Sequence, residues 1–303
     1  MLQPRGPAAA SIAVLWWVML GLAAAVFILV MGLLGYGLFR RRPADTAGHV
    51  PGGERFVLAG GVVMPVVVLS ALFLFMLGTM TALARQDETA ELTVEVTGRQ
   101  WWWEVRYPES GVVTANEIRI PAGRPVRLVV TSGDVIHSVW IPELHGKIDM
   151  IPGRSNSQVI IADEPGEYRG ECAEFCGRQH ARMHFIVVAE PAERFAAWLE
   201  RQARPADEPS NALELEGREI FLGSGCVYCH AVRGTNATSN FGPDLTHLAS
   251  RRTLAAGILE NNRGNLAGWI LNPQTLKPGN KMPPHSLSGE ELNALLAYLE
   301  SLE

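Results

Sequence analysis

The sequence predicts a multi-domain membrane protein: a two-helix transmembrane hairpin, then an all-β domain, then an all-α tail. Three observations predict it. Residues 8–39 and 56–84 are nearly free of charge, residues 90–188 alternate Val, Ile and Thr between Pro and Gly turns, and the end of the chain has helical spacing on both sides of a Cys-x-x-Cys-His motif. The expected division is an N-terminal segment with the hairpin at 1–89, a β domain at 90–200, a linker at 201–211 and a helical domain at 212–303.

Each apolar run exceeds the ~20 residues that cross a bilayer, so helices are expected over about 10–39 and 56–84. The first run is far longer than the ~7–15 apolar residues of a signal peptide and reads as a retained anchor. Arg40-Arg41-Arg42 is the densest cationic run of the chain, whereas only Arg5 precedes the first helix. Positive-inside asymmetry puts that loop in the cytoplasm. Both termini, with everything after Arg85, then face outward, which in a bacterium is the periplasmic side of the inner (plasma) membrane. The formal net charge of -5 gives no hint of nucleic-acid binding.

In the middle region, Glu91-Leu92-Thr93-Val94-Glu95-Val96 and Pro125-Val126-Arg127-Leu128-Val129-Val130 read as short strands of a β-sandwich or barrel. Within it, Cys172, Cys176, His180 and Met183 follow one another at short intervals, with His137 available from an earlier strand end. Thiolate, imidazole and a weak thioether favour copper used for electron transfer; hard cations want carboxylates and water. Two thiolates can bridge two coppers and spread one unpaired electron between them. The residues leave open a disulfide, or a single zinc on Cys172, Cys176, His180 and His137, although Met183 argues against zinc. His184 is an alternative neighbour. Gly170 and Gly177 mark the segment as loop rather than helix.

Residues 201–211 are charged, contain Pro205 and Pro209, and read as a linker between independently packed units. Beyond it, Cys226-Val227-Tyr228-Cys229-His230 has the form in which two thiols capture haem vinyl groups while the adjacent imidazole reaches the iron. A zinc knuckle would want a second Cys or His pair nearby, and none follows. Met282 offers a thioether to the opposite face of the iron, with His247 and His285 as rival ligands. His/Met ligation fills both axial positions, so this domain should move electrons and not bonds. The metal sites consume all four cysteines, leaving no disulfide framework. Leu213, Gly217 and Phe221 share helical spacing, and residues 288–302 read as a capped amphipathic helix with Glu290 and Glu291 at its start.

Asp134-Val135-Ile136-His137-Ser138, Ile151-Pro152-Gly153-Arg154 and the Gly170 to Met183 stretch closely resemble the cytochrome c oxidase subunit II family. The tail resembles the variant with a fused class I cytochrome c domain. The resemblance implies a cupredoxin-like Greek-key domain holding binuclear copper A, with His137 and His180 as imidazole ligands and Cys172 and Cys176 as bridging thiolates. It implies Met183 as a weak ligand and the Glu174 backbone carbonyl as another. It further implies that the Glu174 side chain reaches a magnesium shared with the catalytic subunit I, and that Asp149 lies on the docking surface. Within Gly98-Arg99-Gln100-Trp101-Trp102-Trp103 it implies a tryptophan, here Trp101, exposed above the copper to accept electrons. Three consecutive tryptophans in a strand would instead alternate between core and surface. Pro243, in Gly242-Pro243-Asp244-Leu245, is implied to orient the haem histidine through its carbonyl. Glu54 is nearest to a family glutamate on a proton route but stands too far before Pro65 to be assigned that role.

The function so implied is electron relay from an external cytochrome or other donor, through haem c and copper A, to subunit I, which reduces oxygen to water with proton pumping. Subunit III is an expected further partner. An electron-accepting subunit of a nitric- or nitrous-oxide reductase is the first alternative and a copper delivery or assembly protein the second.

Overall fold

The computed structural model describes residues 3–40, 52–86 and 90–303, so Arg41 and Arg42 of the cationic loop lie outside the described residues. The chain divides into two compact units, Ala10–Glu88 and a larger one of Met1–Ala9 with Thr89–Glu303.

The smaller unit is helical. Its helix α1 is Pro7–Phe39, and the second apolar run forms α2 (Gly53–Leu58), a π-helical turn (Ala59–Val63) and α3 (Met64–Gln86). Both runs start earlier than the sequence pattern predicts. Pro7 is pre-set for a first helical position, and Glu54 in the first turn of α2 complements the positive helix end. The wide turn precedes Pro65, whose ring would collide with the carbonyl of Gly61 in a regular helix. Both helices are long and apolar enough to cross a membrane, and neither span is buried within the protein.

The larger unit opens with ten strands: β1 (Leu92–Arg99), β2 (Trp102–Tyr107), β3 (Val112–Ala115), β4 (Glu117–Pro121), β5 (Val126–Ser132), β6 (His137–Trp140), β7 (Ile148–Met150), β8 (Asn156–Ile160), β9 (Gly166–Cys172) and β10 (His184–Glu190). They form two five-stranded sheets, ordered β3-β2-β1-β5-β8 and β4-β10-β9-β6-β7. The β1–β5 and β4–β10 pairs are parallel and join strands distant in sequence, the crossovers of a cupredoxin-like sandwich. Strand β5 alternates with period two, burying Val126, Leu128 and Val130. Trp103, Tyr107, Ile118 and Phe185 fill the space between the sheets. Arg5 and Ala9 belong to this unit: their amides donate to the carbonyls of Glu143 at 2.8 Å and Leu144 at 3.2 Å.

Helix α4 (Ala192–Gln202) packs Trp198 on Tyr107, ring centroids 5.3 Å apart. The expected linker starts inside α4, which takes in Arg201 and Gln202, and the remainder is tied down: Ala206 donates to Arg233 O at 3.0 Å and the Arg233 guanidinium reaches the carbonyls of Gln202 and Ala203. The helical domain follows with α5 (Ala212–Gly223), a 3-10 turn (Gly225–Tyr228), a β11–β12 hairpin (Thr253–Leu254, Leu259–Glu260), α6 (Arg263–Leu271), α7 (Pro273–Leu276) and α8 (Gly289–Ser301). Helices α5 and α8 cross, stacking Phe221 near Tyr298 with centroids 5.9 Å apart.

Candidate metal centres

Strand β9 runs antiparallel to both β6 and β10. The start of β6, the end of β9 and the start of β10 therefore meet at one end of the second sheet. His137 is the first residue of β6, Cys172 the last of β9, and Met183 immediately precedes β10. Residues 173–182 fold Cys176 and His180 back over the same end. The donor atoms of His137, Cys172 and Cys176 lie within 4.8 Å of one another. The two sulfurs are 3.8 Å apart and both cysteines are free. Nδ1 of His137 is 3.9 Å from the Cys172 sulfur, whereas Nδ1 of His180 and the Met183 sulfur are 3.7 and 3.8 Å from that of Cys176. The imidazoles thus flank opposite cysteines, a spread that suits two soft metal ions sharing the sulfurs. The Glu174 carbonyl accepts from the Cys172 thiol at 3.3 Å, so it faces the cluster.

Hydrogen bonding from Cys176 holds the Cys172 thiol down at about 3, while the shared proton and burial push Cys176 up. Asp134 lies 2.8 Å from His137 Nε2, leaving Nδ1 turned to the cysteines. Partial burial opposes its ionisation, but that hydrogen bond and the amides of Gln100 and Val135 hold Asp134 down at about 2. Such a carboxylate fixes the tautomer and orientation of a ligating imidazole.

Gly170 is a correction to the loop expectation. It is inside β9, where an added Cβ would lie 2.1 Å from the Phe185 ring, so it is required by close packing across strands. Gly177, with φ of 111°, does lie in the loop. His184 points out of β10 to Arg169 and Glu171 and away from the sulfur cluster. Asp149 sits opposite Ser138 on β7 and is 3.8 Å from Lys147. The tryptophans also differ from a simple strand alternation. Trp101 occupies the turn before β2, Trp103 is fully buried, and Trp102 is half-buried. Trp101 is itself half-buried, and its indole N–H donates to the Cys176 carbonyl at 3.0 Å.

The second centre is a cavity of about 560 Å³ bordered by Cys226, Cys229, His230, Met282 and His285, within the roughly 300–1,000 Å³ typical of cofactor sites. His230 Nδ1 is 2.7 Å from the Pro243 carbonyl, which leaves Nε2 as the free ligand atom. Burial lowers the basicity of His230, favouring the neutral ring that a metal needs. His247 is buried elsewhere, its nitrogens bonded to the Glu303 and Arg204 carbonyls, so its ring is engaged away from this cavity. The donor set and volume fit a haem attached through Cys226 and Cys229. The wall of the cavity opposite the helical domain comes from the β domain, with Trp101, Trp102 and Asp134 among its lining residues.

A copper-type cupredoxin-like domain joined to a cytochrome c domain on two apolar helices defines a membrane-anchored electron-transfer subunit of an oxidoreductase complex. The family model for the periplasmic domain of cytochrome c oxidase subunit II matches residues 111–190, and that for cytochrome c matches residues 215–303. Cytochrome c oxidase subunit 2 of Alkalihalophilus pseudofirmus is 35% identical, covering 100% of this chain and 90% of that protein. The Bacillus subtilis subunit 2 is 32% identical over 83% of this chain and 76% of its own length. The periplasmic domain of subunit II (CoxB) of Bradyrhizobium japonicum matches at 33% identity and a TM-score of 0.37, covering 37% of this chain and 94% of that structure. The chain belongs to the cytochrome c oxidase subunit 2 family, and its two family domains imply copper A and haem.

Sequence reasoning quoted Asp134 within a motif but gave it no role. Its Asp-x-x-His spacing to His137 was the available signal. Lys277 has no such signal.

Proposed function

We propose that this chain accepts electrons for a terminal, proton-pumping cytochrome c oxidase. It would relay them from an external donor by way of its haem domain and copper domain to subunit I, with subunit III as a further partner. Cys226 and Cys229 would bind haem c covalently, with His230 and Met282 as axial ligands. His137, Cys172, Cys176, His180, Met183 and the Glu174 carbonyl would hold binuclear copper A. When bound, these groups supply reversible one-electron chemistry with filled coordination shells.

The chain's residues organise that chemistry. Pro243 orients His230, Asp134 orients His137, and Trp101 closes the haem cavity while bonding to the carbonyl of a copper-site cysteine. That double contact of Trp101 is the observation on which the reading rests: one side chain adjoins both candidate centres. The Glu174 carboxylate would contribute one ligand to a magnesium ion completed by subunit I and water, since magnesium keeps few protein ligands. Attachment of Arg5 and Ala9 to the β domain supports an N-terminus on the same side of the membrane as the redox domains, in line with a periplasmic, two-pass topology in the bacterial inner membrane.

The test is metal analysis and rapid kinetics on the purified complex. Two coppers and one covalent haem per subunit II, a near-infrared copper band, and oxidation of the haem accompanied by reduction of copper are expected. Zinc or a cystine at Cys172 and Cys176 would overturn the reading.

A further inference from the structure

The loop that leads to Met282 is gripped by the loops that carry the copper ligands. Four contacts do this. The Arg182 guanidinium donates to the Leu276 carbonyl at 3.0 Å, and the Gln179 amide donates to the Pro278 carbonyl. Lys277 sends its ammonium in the other direction, to the Trp101 carbonyl at 2.9 Å and to Ala255 O at 3.1 Å. Lys281, next to Met282, lies 3.7 Å from Asp134, the carboxylate that orients His137. Gln179 and Arg182 each adjoin a candidate copper ligand, His180 and Met183. Lys277 is only 2% exposed although it carries an ammonium group, and a buried lysine is tolerated only where its donors are satisfied.

We propose that residues 276–282 form a latch in which Lys277, Gln179 and Arg182 are positioning residues. They hold the Met282 segment of the haem domain and the Trp101 turn of the copper domain in one fixed register. Three of the four contacts run from a side chain of one domain to a carbonyl oxygen of the other, so they hold the backbone at Leu276, Pro278 and Trp101 and can be removed without substituting Trp101 or Met282. A single exposed ion pair across such a seam would contribute little; the bonds from the buried Lys277 to the Trp101 and Ala255 carbonyls specify geometry more strongly. The inference rests on the electron order proposed above and adds the residues that make the step between the two domains efficient.

The test uses the intact purified complex carrying Lys277→Met, which keeps the side-chain length and removes the ammonium, and separately Arg182→Ala, a milder change at an exposed position. Three readouts are compared with the unaltered protein: the rate of haem-to-copper electron transfer after flash reduction, the weak red absorption band of Met-ligated ferric haem, and amide hydrogen exchange in residues 276–282. Lys277→Met is expected to slow transfer by roughly ten- to a hundredfold, since a misplacement of about 1 Å has effects of that order. Copper and haem content should stay unchanged and exchange in the loop should rise. Arg182→Ala should raise exchange with a smaller loss of rate, and Lys277→Arg should recover part of the rate. Unaltered rate and exchange in both loss variants would overturn the latch, as would a rate lost only in proportion to lost copper or haem. If the unaltered protein itself passes no electrons from haem to copper, the proposed relay fails instead, and hydrogen exchange alone still judges the latch.

Discussion

Asp134 Oδ1 lies 2.8 Å from His137 Nε2, so a carboxylate on the loop before β6 sets which imidazole nitrogen faces the paired cysteines. Replacing it by Asn keeps the size but removes the charge that fixes the tautomer. Asp134→Asn should weaken copper retention by roughly 10- to 100-fold. Copper content after dialysis against a graded chelator, with the near-infrared band followed in parallel, checks this.

Gly217 on α5 meets α8 at the backbone of Ala294. An added Cβ would lie 2.0 Å from the Ala294 carbonyl oxygen, and backbone cannot swing aside as a flexible side chain can. Gly217→Ala should separate the two helices and cost about 1–3 kcal/mol of stability. Denaturant unfolding of the detergent-solubilised protein, followed at the haem band, measures it.

Ser288 caps α8 in a reciprocal box with Glu291, each side chain receiving the other's backbone amide. Ser288→Ala should cost about 1 kcal/mol, read from the same unfolding curve. Electron-transfer rates should be untouched, because Ser288 and α8 supply no ligand.

Lys277 gives a pH signature. Burial lowers its basicity from 10.5 in the ordinary side chain to about 7 in the fold. Between those values the unfolded chain binds a proton that the folded chain releases, so this group makes folding stability rise with pH across about 7 to 10.5. Below about 7 both states are charged and its contribution is flat. Lys277→Met should therefore flatten the slope of stability against pH in that window. An unchanged slope in chemical-denaturation midpoints would count against a desolvated ammonium at this position.

The two candidate metal motifs were legible in the sequence because their donor-type side chains are close neighbours. Cys172, Cys176, His180 and Met183 occupy one loop and its edge, and Cys226, Cys229 and His230 one turn, so residue type and spacing already restrict the chemistry. The helices of the tail were legible for the same reason, since Gly217 and Phe221 repeat on one face. Gly170 misled because a glycine required by the Phe185 ring packed on it looks identical, in sequence, to a glycine required by a turn. The tryptophan stretch misled in another way. Strand alternation holds only where the ladder does, and the ladder begins at Trp102.

What local residue chemistry settled was the inventory: two apolar spans, a loop of soft donor side chains and a Cys-x-x-Cys-His turn, each specified by side chains a few positions apart. Which surfaces meet was settled in three dimensions, by pairs 99 and 176 residues apart such as Gln179 with Pro278 and Lys277 with Trp101. No periodicity records such partners. They exist because two separately formed cores are brought together, and the carbonyls left at that seam need donors from the other side.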